Sequence, residues 1–536
     1  MKRIPFHPLL FAVYSILALF ANNISQVLIE DVQRSFIVSI ALGFIIFFAV
    51  FVLVRGWQKT GLIASAALLL FFSYGHVFKL LQGFAIGPIL IGRILVVLPI
   101  FGLIFVLWLW WVLTRLPAPE KLTSGFNFVG IFLVLFPLYT IVAYFVHAEI
   151  IRASYKVELP ADISQRFQGK LPNVYYIILD MHGRADVFDA IYGYDESEFI
   201  NGLKEKGFYV ASDSTSNYSS TLQSISSSLN MEYINYLQDA YGADETNREP
   251  YHLLFEQNKL MKIFKAWGYK IGTFQTDFDA SEFRDADKYI KPRKDQVLQY
   301  QNPLALNSFE GIFLQTTMAR VLYDLHVVEA KTYQAKTVET PYRLHRLTIL
   351  NAVDHIPDFA REKDPYFVFL HIVSPHPPYV FGPNGEELSH TLPFSLSGPG
   401  RIDGGPVYMK MYTDQLHYTD KIVLQAVDKI LASSKTPPII IIQGDHGPVS
   451  YFGEDEVGRG NMKEQDAILN AYYFPGQKYD LLYPSITPVN SFRVVFNTFY
   501  GEAYKFLPDT NYFMPHARPY DFIDVTERVK TDPLAP

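Results

Sequence analysis

Apolar residues come first in long unbroken runs and later, beyond about residue 172, in short ones. The long runs lie at 8–28, 35–54, 61–81, 89–114 and 126–147. Two of them read SFIVSIALGFIIFFAVFVLV and ILVVLPIFGLIFVLWLWWVL, and a helix needs about 20 apolar residues to cross the hydrocarbon core of a bilayer. Buried core helices would not explain five such runs with almost no internal charge, and a cleaved signal peptide would explain only the first. Asn22, Asn23 and His76 interrupt the first and third runs. The pattern predicts a bundle of five transmembrane helices over residues 1–150. Basic residues in short loops set orientation. Lys2 and Arg3 precede the first span, Arg55 and Lys59 follow the second, and Arg115 and Lys121 follow the fourth. With five spans these segments share one side, the cytoplasmic one, and everything beyond about residue 150 lies on the other. Lys79 and Arg93 run against that bias. Trp108, Trp110 and Trp111 close the fourth span as an interfacial belt would.

Residues 151–171, IRASYKVELPADISQRFQGKL, are polar and mixed and read as a juxtamembrane connector. From 172 to 536 the short runs are VYYIILD (174–180), GFYVAS (207–212), GYKIGTFQT (268–276), YFVFLHIV (366–373), PPIIIIQGD (437–445) and ILNAYYFPG (468–476). Near-continuous apolar runs of this length suit strands covered on both faces. Segments such as ESEFINGLKEKG and MYTDQLHYTDKIVLQAVDKILASS between them have helical character. The alternation predicts an α/β domain with a mainly parallel central sheet, whose site lies at the carboxyl ends of the strands. Residues 381–406 are rich in Gly, Pro and Ser and read as a long loop near that site. For the helix-rich stretch from about 295 to 350, lining a substrate groove and bracing the domain on the membrane are both open.

Charge and composition narrow the chemistry. Nine of the 46 basic and four of the 53 acidic residues fall in residues 1–150, leaving the remainder at −12. An acidic outer part argues against nucleic acid as a partner. The chain has no cysteine, which excludes disulfides, thiolate metal sites, cysteine nucleophiles and a formylglycine made from cysteine.

The run PPIIIIQGD continues as HGP, so Asp445 and His446 sit at the tip of a predicted central strand, with Gly444 and Gly447 expected to let the backbone turn. A carboxylate with an imidazole suits zinc or manganese better than calcium or magnesium. Asp180 ends the first strand, in IILDMHGRAD, as a turn-former or as another ligand. The hydroxyl-rich SNYSSTLQSISSSLN (216–230) contains a helix predicted to begin near Thr221. Hydroxyls there are helix caps or a nucleophile beside backbone N–H groups that favour a phosphate. A metal would activate such a hydroxyl by lowering its pKa. His371 and His376 lie at and just beyond the strand end in FLHIVSPHPPYVF, and His376 is the better site candidate because His371 still falls within the strand. Arg184 and Asp186 read as a structural ion pair, and Tyr418 and Asp420 as packing and surface.

LDMHGRADVFDAIYGY, TLQSISSSLN, SPHPPYVF and QGDHGP, in this order, resemble the alkaline phosphatase/sulfatase-like superfamily. Five spans before such a domain resemble its membrane-anchored branch, which includes lipoteichoic acid synthases and lipid A phosphoethanolamine transferases. The resemblance implies Asp180, Thr221, Asp445 and His446 as ligands of one divalent ion, Mn or Zn. It implies Thr221 as nucleophile, because Ser224 follows it by three residues, and His376 as the substrate-facing histidine. A phospho-threonine would then pass its group to an alcohol or water. A second metal would need further ligands, for which His371, Asp277 and Asp279 are candidates. The expected protein is a multi-pass enzyme of the plasma (inner) membrane with a periplasmic domain, transferring or hydrolysing phosphoester groups on membrane lipid or envelope glycan. The formylglycine motifs of sulfatases are absent, as is a serine-histidine-glycine before the last Asp-His pair. A sulfuric-ester hydrolase with an unmodified nucleophile, and an inactive envelope-binding module, are the alternatives.

Overall fold

Each long apolar run forms a helix in the computed structural model, which describes residues 4–24, 27, 29–82, 84–86, 89–90, 92–154, 170–278, 281–300, 306–324, 339–390, 394, 396, 405–450 and 460–534. Asp279, most of the predicted connector and much of the 381–406 loop lie outside the described residues. The chain divides into two units. One holds the described parts of residues 1–150, 302–341 and 391–394; the other holds those of 151–301, 342–390 and 395–536.

In the first unit the helices are α1 (His7–Asn22), α2 (Ile29–Val54), α3 (Trp57–Leu81), α4 (Ile94–Thr114) and α5 (Pro119–Ser154). The last four are long and apolar enough to cross a membrane. α1 has 16 residues, about 24 Å of helix against a hydrocarbon core of about 30 Å, and it stops where the two asparagines interrupt its run. More than half of the apolar window of α3 is buried, whereas α2, α4 and α5 point most of theirs outward. Lys59 Nζ donates to Leu113 O at 3.0 Å, and the start of α1 is held by Asn127 of α5, which accepts from His7 N at 3.0 Å and donates to Ile4 O at 3.0 Å. Trp110 and Trp111 are exposed, as a belt requires, but Trp108 turns inward to donate to Leu62 O at 3.1 Å.

The helix Ser308–Thr316, from the stretch left without a role, belongs to this unit. Asn307 and Glu310 form a capping box at its start. Arg34 of α2 forks onto Glu310, and Asn307 Nδ2 donates to Asp31 O at 2.9 Å. Farther along, Met318 N donates to Phe71 O of α3 at 2.8 Å. A Cβ on Gly75 would lie 2.2 Å from Gln315 O and 2.5 Å from the Thr316 carbonyl carbon. Backbone cannot yield as a flexible side chain can, so Gly75→Ala is expected to lower stability by about 1–3 kcal/mol. Thermal unfolding in detergent measures the loss, and faster proteolysis of residues 308–324 reports its location.

The second unit is built on a seven-stranded sheet. Its strands are β1 (Val174–Leu179), β2 (Tyr209–Val210), β3 (Lys270–Phe274), β4 (Lys288–Ile290), β5 (Tyr366–Ile372), β6 (Ile439–Gly444) and β7 (Asn470–Tyr473), in the order β2–β7–β6–β1–β5–β3–β4. Strands β6, β1, β5, β3 and β4 pair in parallel, and β7 runs antiparallel to both β6 and β2. The main helices of this unit are α6 (Ser197–Glu205), α7 (Thr221–Asn230), α8 (Lys259–Ala266), α9 (Glu339–His355, from Tyr342 onward), α10 (Gly405–Ser433) and α11 (Pro488–Phe499). On one face Tyr176, Ile178, Phe367, Phe369 and Ile441 share a core with Ile225 of α7, Phe264 of α8 and Phe492 of α11. Tyr175, Ile177, Leu370 and Ile442 point the other way and are also buried. That two-sided burial is why the central strands read as continuous apolar runs.

Candidate active site

Strand register assembles the site. Leu179 pairs with Gly444 on one side and with Ile372 on the other, so Asp180 and Asp445 leave adjacent parallel strands at the same level. Ile178 pairs with His371, which by strand alternation puts His371 on the face that Asp180 uses. Met181 then takes a left-handed φ of 62°, a strained conformation for a residue with a side chain. The bend aims its N–H at Asp445 Oδ1, 3.0 Å away, while its carbonyl accepts from Tyr412 Oη at 2.6 Å. Gly444 and Gly447 serve a different purpose from the turning expected of them. Neither has a positive φ, but a Cβ on Gly444 would lie 2.2 Å from His182 O and one on Gly447 2.2 Å from Glu464 O.

Three ligand atoms converge, two of them carboxylate oxygens without hydrogen-bond partners. Asp445 Oδ1 is used by the amides of Met181 and His446, at 3.0 and 2.9 Å, which leaves Oδ2 buried and unpaired. Asp180 Oδ1 is likewise buried and unpaired. His446 Nδ1 lies 2.9 Å from Gly447 O. A carbonyl oxygen only accepts, so Nδ1 carries the proton and Nε2 presents a lone pair. Nε2 lies 3.2 Å from Thr221 Oγ1, 3.6 Å from Asp445 Oδ2 and 3.9 Å from Asp180 Oδ1. Ligand atoms of Asp180, Asp445 and His446 all fall within 4.8 Å of one another. Two carboxylates and an imidazole lone pair facing one another in a buried space fit a divalent cation of the zinc or manganese kind.

Thr221 is the first residue of α7, whose N-cap Ser220 makes no side-chain cap bond. The helix is pinned beneath the site by Ser224 Oγ, which donates to Asp445 O at 2.7 Å. His376 reaches Asp180 through its backbone, its N–H donating to Asp180 O at 3.1 Å. His371 is fully buried, with Nε2 3.3 Å from Asp180 Oδ2 and Nδ1 2.6 Å from Ser281 Oγ. It thus contacts the Asp180 oxygen that faces away from His446. Asp277, the other described candidate for a second metal, lies 3.4 Å from His345 Nδ1.

Electrostatics follow from these contacts. Burial works against ionising Asp180, but the charges of His376, His371 and His446 outweigh it and hold the carboxyl well below its usual range. Burial and the neighbouring Asp180 push Asp445 up. Burial opposes the His446 cation, yet Asp445 and Asp180 prevail and raise it. Asp466, hydrogen-bonded through Oδ1 to Ser216 Oγ at 3.2 Å, is raised by burial to about 8. The unfolded chain loses that proton near pH 4, so the contribution of Asp466 is complete below pH 4 and declines as pH rises toward 8. Asp466→Asn removes the decline. Wild-type stability is expected to fall relative to the variant between pH 5 and 8, by up to about 1.4 kcal/mol per pH unit, and melting temperatures of the two proteins followed across that range show the direction.

The expected Arg184–Asp186 ion pair is present, Nε to Oδ1 2.6 Å, and Tyr418 packs on Phe381. Asp420 is not a surface residue. It is buried with Oδ1 2.9 Å from His182 Nε2, and Glu196 joins the pair from the start of α6. These three are contributed by distant parts of the chain, and no local spacing announces them.

Fold and site together define a membrane-associated enzyme of the alkaline phosphatase superfamily. The chain belongs to the sulfatase family, whose model matches residues 172–494. Its structure is similar to a zinc complex of the C-terminal periplasmic domain of EptC from Escherichia coli, at 13% identity over 70% of this chain and 98% of that one, TM-score 0.41. It is also similar to the integral membrane lipooligosaccharide phosphoethanolamine transferase EptA from Neisseria meningitidis, at 12% identity over 92% and 95%, TM-score 0.36. The lipoteichoic acid synthase LtaP from Listeria monocytogenes is similar at 14% identity over 68% and 83%, TM-score 0.37. Among curated protein sequences none matches the chain.

Proposed function

We propose that this protein is a membrane-bound, metal-dependent phosphoester transferase or hydrolase that works on an envelope lipid or glycan through Thr221. The observation that carries the reading is the Thr221 hydroxyl 3.2 Å from His446 Nε2, beside the unpaired Asp180 Oδ1 and Asp445 Oδ2. A bound Mn or Zn ion supplies the Lewis acidity that lowers the pKa of that hydroxyl. Thr221 Oγ1 then attacks phosphorus, the bond from phosphorus to the leaving alkoxide breaks, and the N–H groups of the first turn of α7 face the developing charge. An unmodified threonine ester is released by a second attack at the same phosphorus, by an alcohol in transfer or by water in hydrolysis. His376 faces the substrate in this reading. Residues 1–150 form the membrane domain with the N-terminus cytoplasmic, 151–171 the connector, and 172–536 the catalytic domain outside the cytoplasm. An anchor of this kind holds the site near lipid.

The test uses the full-length protein in detergent, loaded with manganese or zinc. Chromogenic phosphodiester, phosphomonoester and sulfate esters are assayed with and without chelator. Phosphoester turnover that stops on chelation is expected. Turnover of sulfate esters alone would replace the reading with a sulfuric-ester hydrolase, and no turnover of any ester would leave a binding module.

A further inference from the structure

The cluster of His182, Glu196 and Asp420 lies outside the machinery described above. We propose that it is a second, enclosed divalent-cation site that pins the loop carrying Asp180. His182 Nδ1 lies 3.0 Å from Gly183 O, and since a carbonyl cannot donate, the proton sits on Nδ1. Nε2, within hydrogen-bond distance of Asp420 when it carries a proton, would present a lone pair to a bound ion. It faces Asp420 Oδ1 at 2.9 Å and Glu196 Oε1 at 3.4 Å. With that proton displaced, the imidazole nitrogen and the two carboxylate oxygens would face one another as the ligands of one cation. For metal–ligand distances of about 2.0–2.2 Å, neighbouring ligand atoms stand roughly 3–3.5 Å apart, and these separations match.

Burial strengthens the case. His182, Glu196 and Asp420 are 0%, 3% and 4% exposed. Neither oxygen of Glu196 makes a hydrogen bond, and Asp420 Oδ2 is also unpaired. Among the described residues no lysine or arginine forms an ion pair with either carboxylate, the nearby Arg184 being engaged with Asp186. Two carboxylates and a neutral imidazole around one divalent ion sum to zero charge, and Glu196 Oε2 and Asp420 Oδ2, the second oxygen of each carboxylate, offer bidentate binding to complete its shell. One nitrogen with carboxylate oxygens suits zinc or manganese.

The location gives the role. His182 is two residues beyond Asp180, and its carbonyl accepts from Leu469 N at 3.2 Å and touches Gly444, the residue before Asp445. Glu196 precedes α6, and Asp420 is on α10. An ion here ties both helices to the turn between the two aspartates of the active site. With so little exposure it would act as a structural pin and would not meet substrate.

The site does not depend on the threonine reading, and its test reads metal content and position, not turnover. Full-length protein is loaded with zinc, freed of excess by gel filtration and analysed for zinc per chain. Two ions are expected in the wild type and one in either Glu196→Gln or Asp445→Asn. Anomalous diffraction at the zinc edge is expected to place a peak among His182 Nε2, Glu196 and Asp420 in wild-type crystals. One ion in the loaded wild type, two retained in Glu196→Gln, or no peak at that position would each overturn the proposal. The wild-type map decides alone if a variant fails to fold. Asp420→Asn, expected to drop to one ion while keeping the active-site ion, separates a lost ligand from a lost fold.

Discussion

Thr221→Ala is expected to lower phosphoester turnover by about 10⁴-fold or more, because removing a covalent nucleophile leaves only binding and electrostatic stabilisation. The loss should be chemical and not structural. Thr221 occupies the first position of α7, where alanine is a good helix former, and the helix keeps its anchor through Ser224 and Asp445. Melting temperature should therefore stay near wild type, while metal affinity should drop because the hydroxyl that would complete the ion's ligand set is gone. Thr221→Ser tests the geometry separately. It restores the hydroxyl but frees its rotation, since the branched threonine is stiffer at χ1, so activity should return to within about 10- to 100-fold of wild type. Trapping of labelled phosphate on protein, present in wild type and absent in Thr221→Ala, would report the covalent intermediate directly. Equal turnover in wild type and Thr221→Ala would remove the threonine from the mechanism.

What the chain discloses in one dimension depends on how far apart its cooperating residues lie. All six strands read from apolar runs exist; the central ones are legible because sheet interiors buried on both faces leave no room for polar alternation, while the half-buried edge strand β2 shows only within the short run GFYVAS. β4 escaped, since Lys288–Ile290 is a half-buried edge strand and carries no apolar run. Asp445 and His446 were legible because both follow one isoleucine strand, and Asp180 because it ends another. That their oxygens and nitrogen converge required the register Leu179 to Gly444, which is written in no single segment. His371 shows the same gap: within its strand it looks structural, and only pairing with Ile178 brings it against Asp180. Asp420 was misread because YTDKIV has the polar texture of a helix surface, while its partners His182 and Glu196 are more than two hundred residues away. The helix Ser308–Thr316 was opaque for a similar reason. Its polar partner Arg34 lies in α2, and its closest approach is to a glycine, which offers no pattern to read.

Asp445→Asn is expected to strip the active-site ion while leaving the fold in place. Asp445 divides its two oxygens between two tasks. Oδ1 accepts from the amides of Met181 and His446, and an asparagine carbonyl oxygen can keep both bonds. Oδ2 is the buried atom without a partner, and the substitution puts an NH₂ group there, turning a ligand into a donor aimed at a cation. Affinity for Mn or Zn should fall by at least about 100-fold, since even groups that only orient a ligand cost 10- to 100-fold when lost. Turnover should fall with it. The wild type should also release protons on taking up metal. Without an ion, burial and the charge of Asp180 raise Asp445, while Asp445 and Asp180 raise His446 against the effect of burial. A metal must displace those protons, so affinity should weaken as pH falls through the range in which the raised groups protonate. In Asp445→Asn one of the two is gone, and the residual affinity should depend less steeply on pH. Calorimetric titration of metal in buffers of different ionisation enthalpy measures both affinity and protons released. An unchanged affinity in Asp445→Asn would mean that Asp180 and His446 alone hold the ion, and the strand-tip aspartate would be a backbone clamp for the Met181 turn.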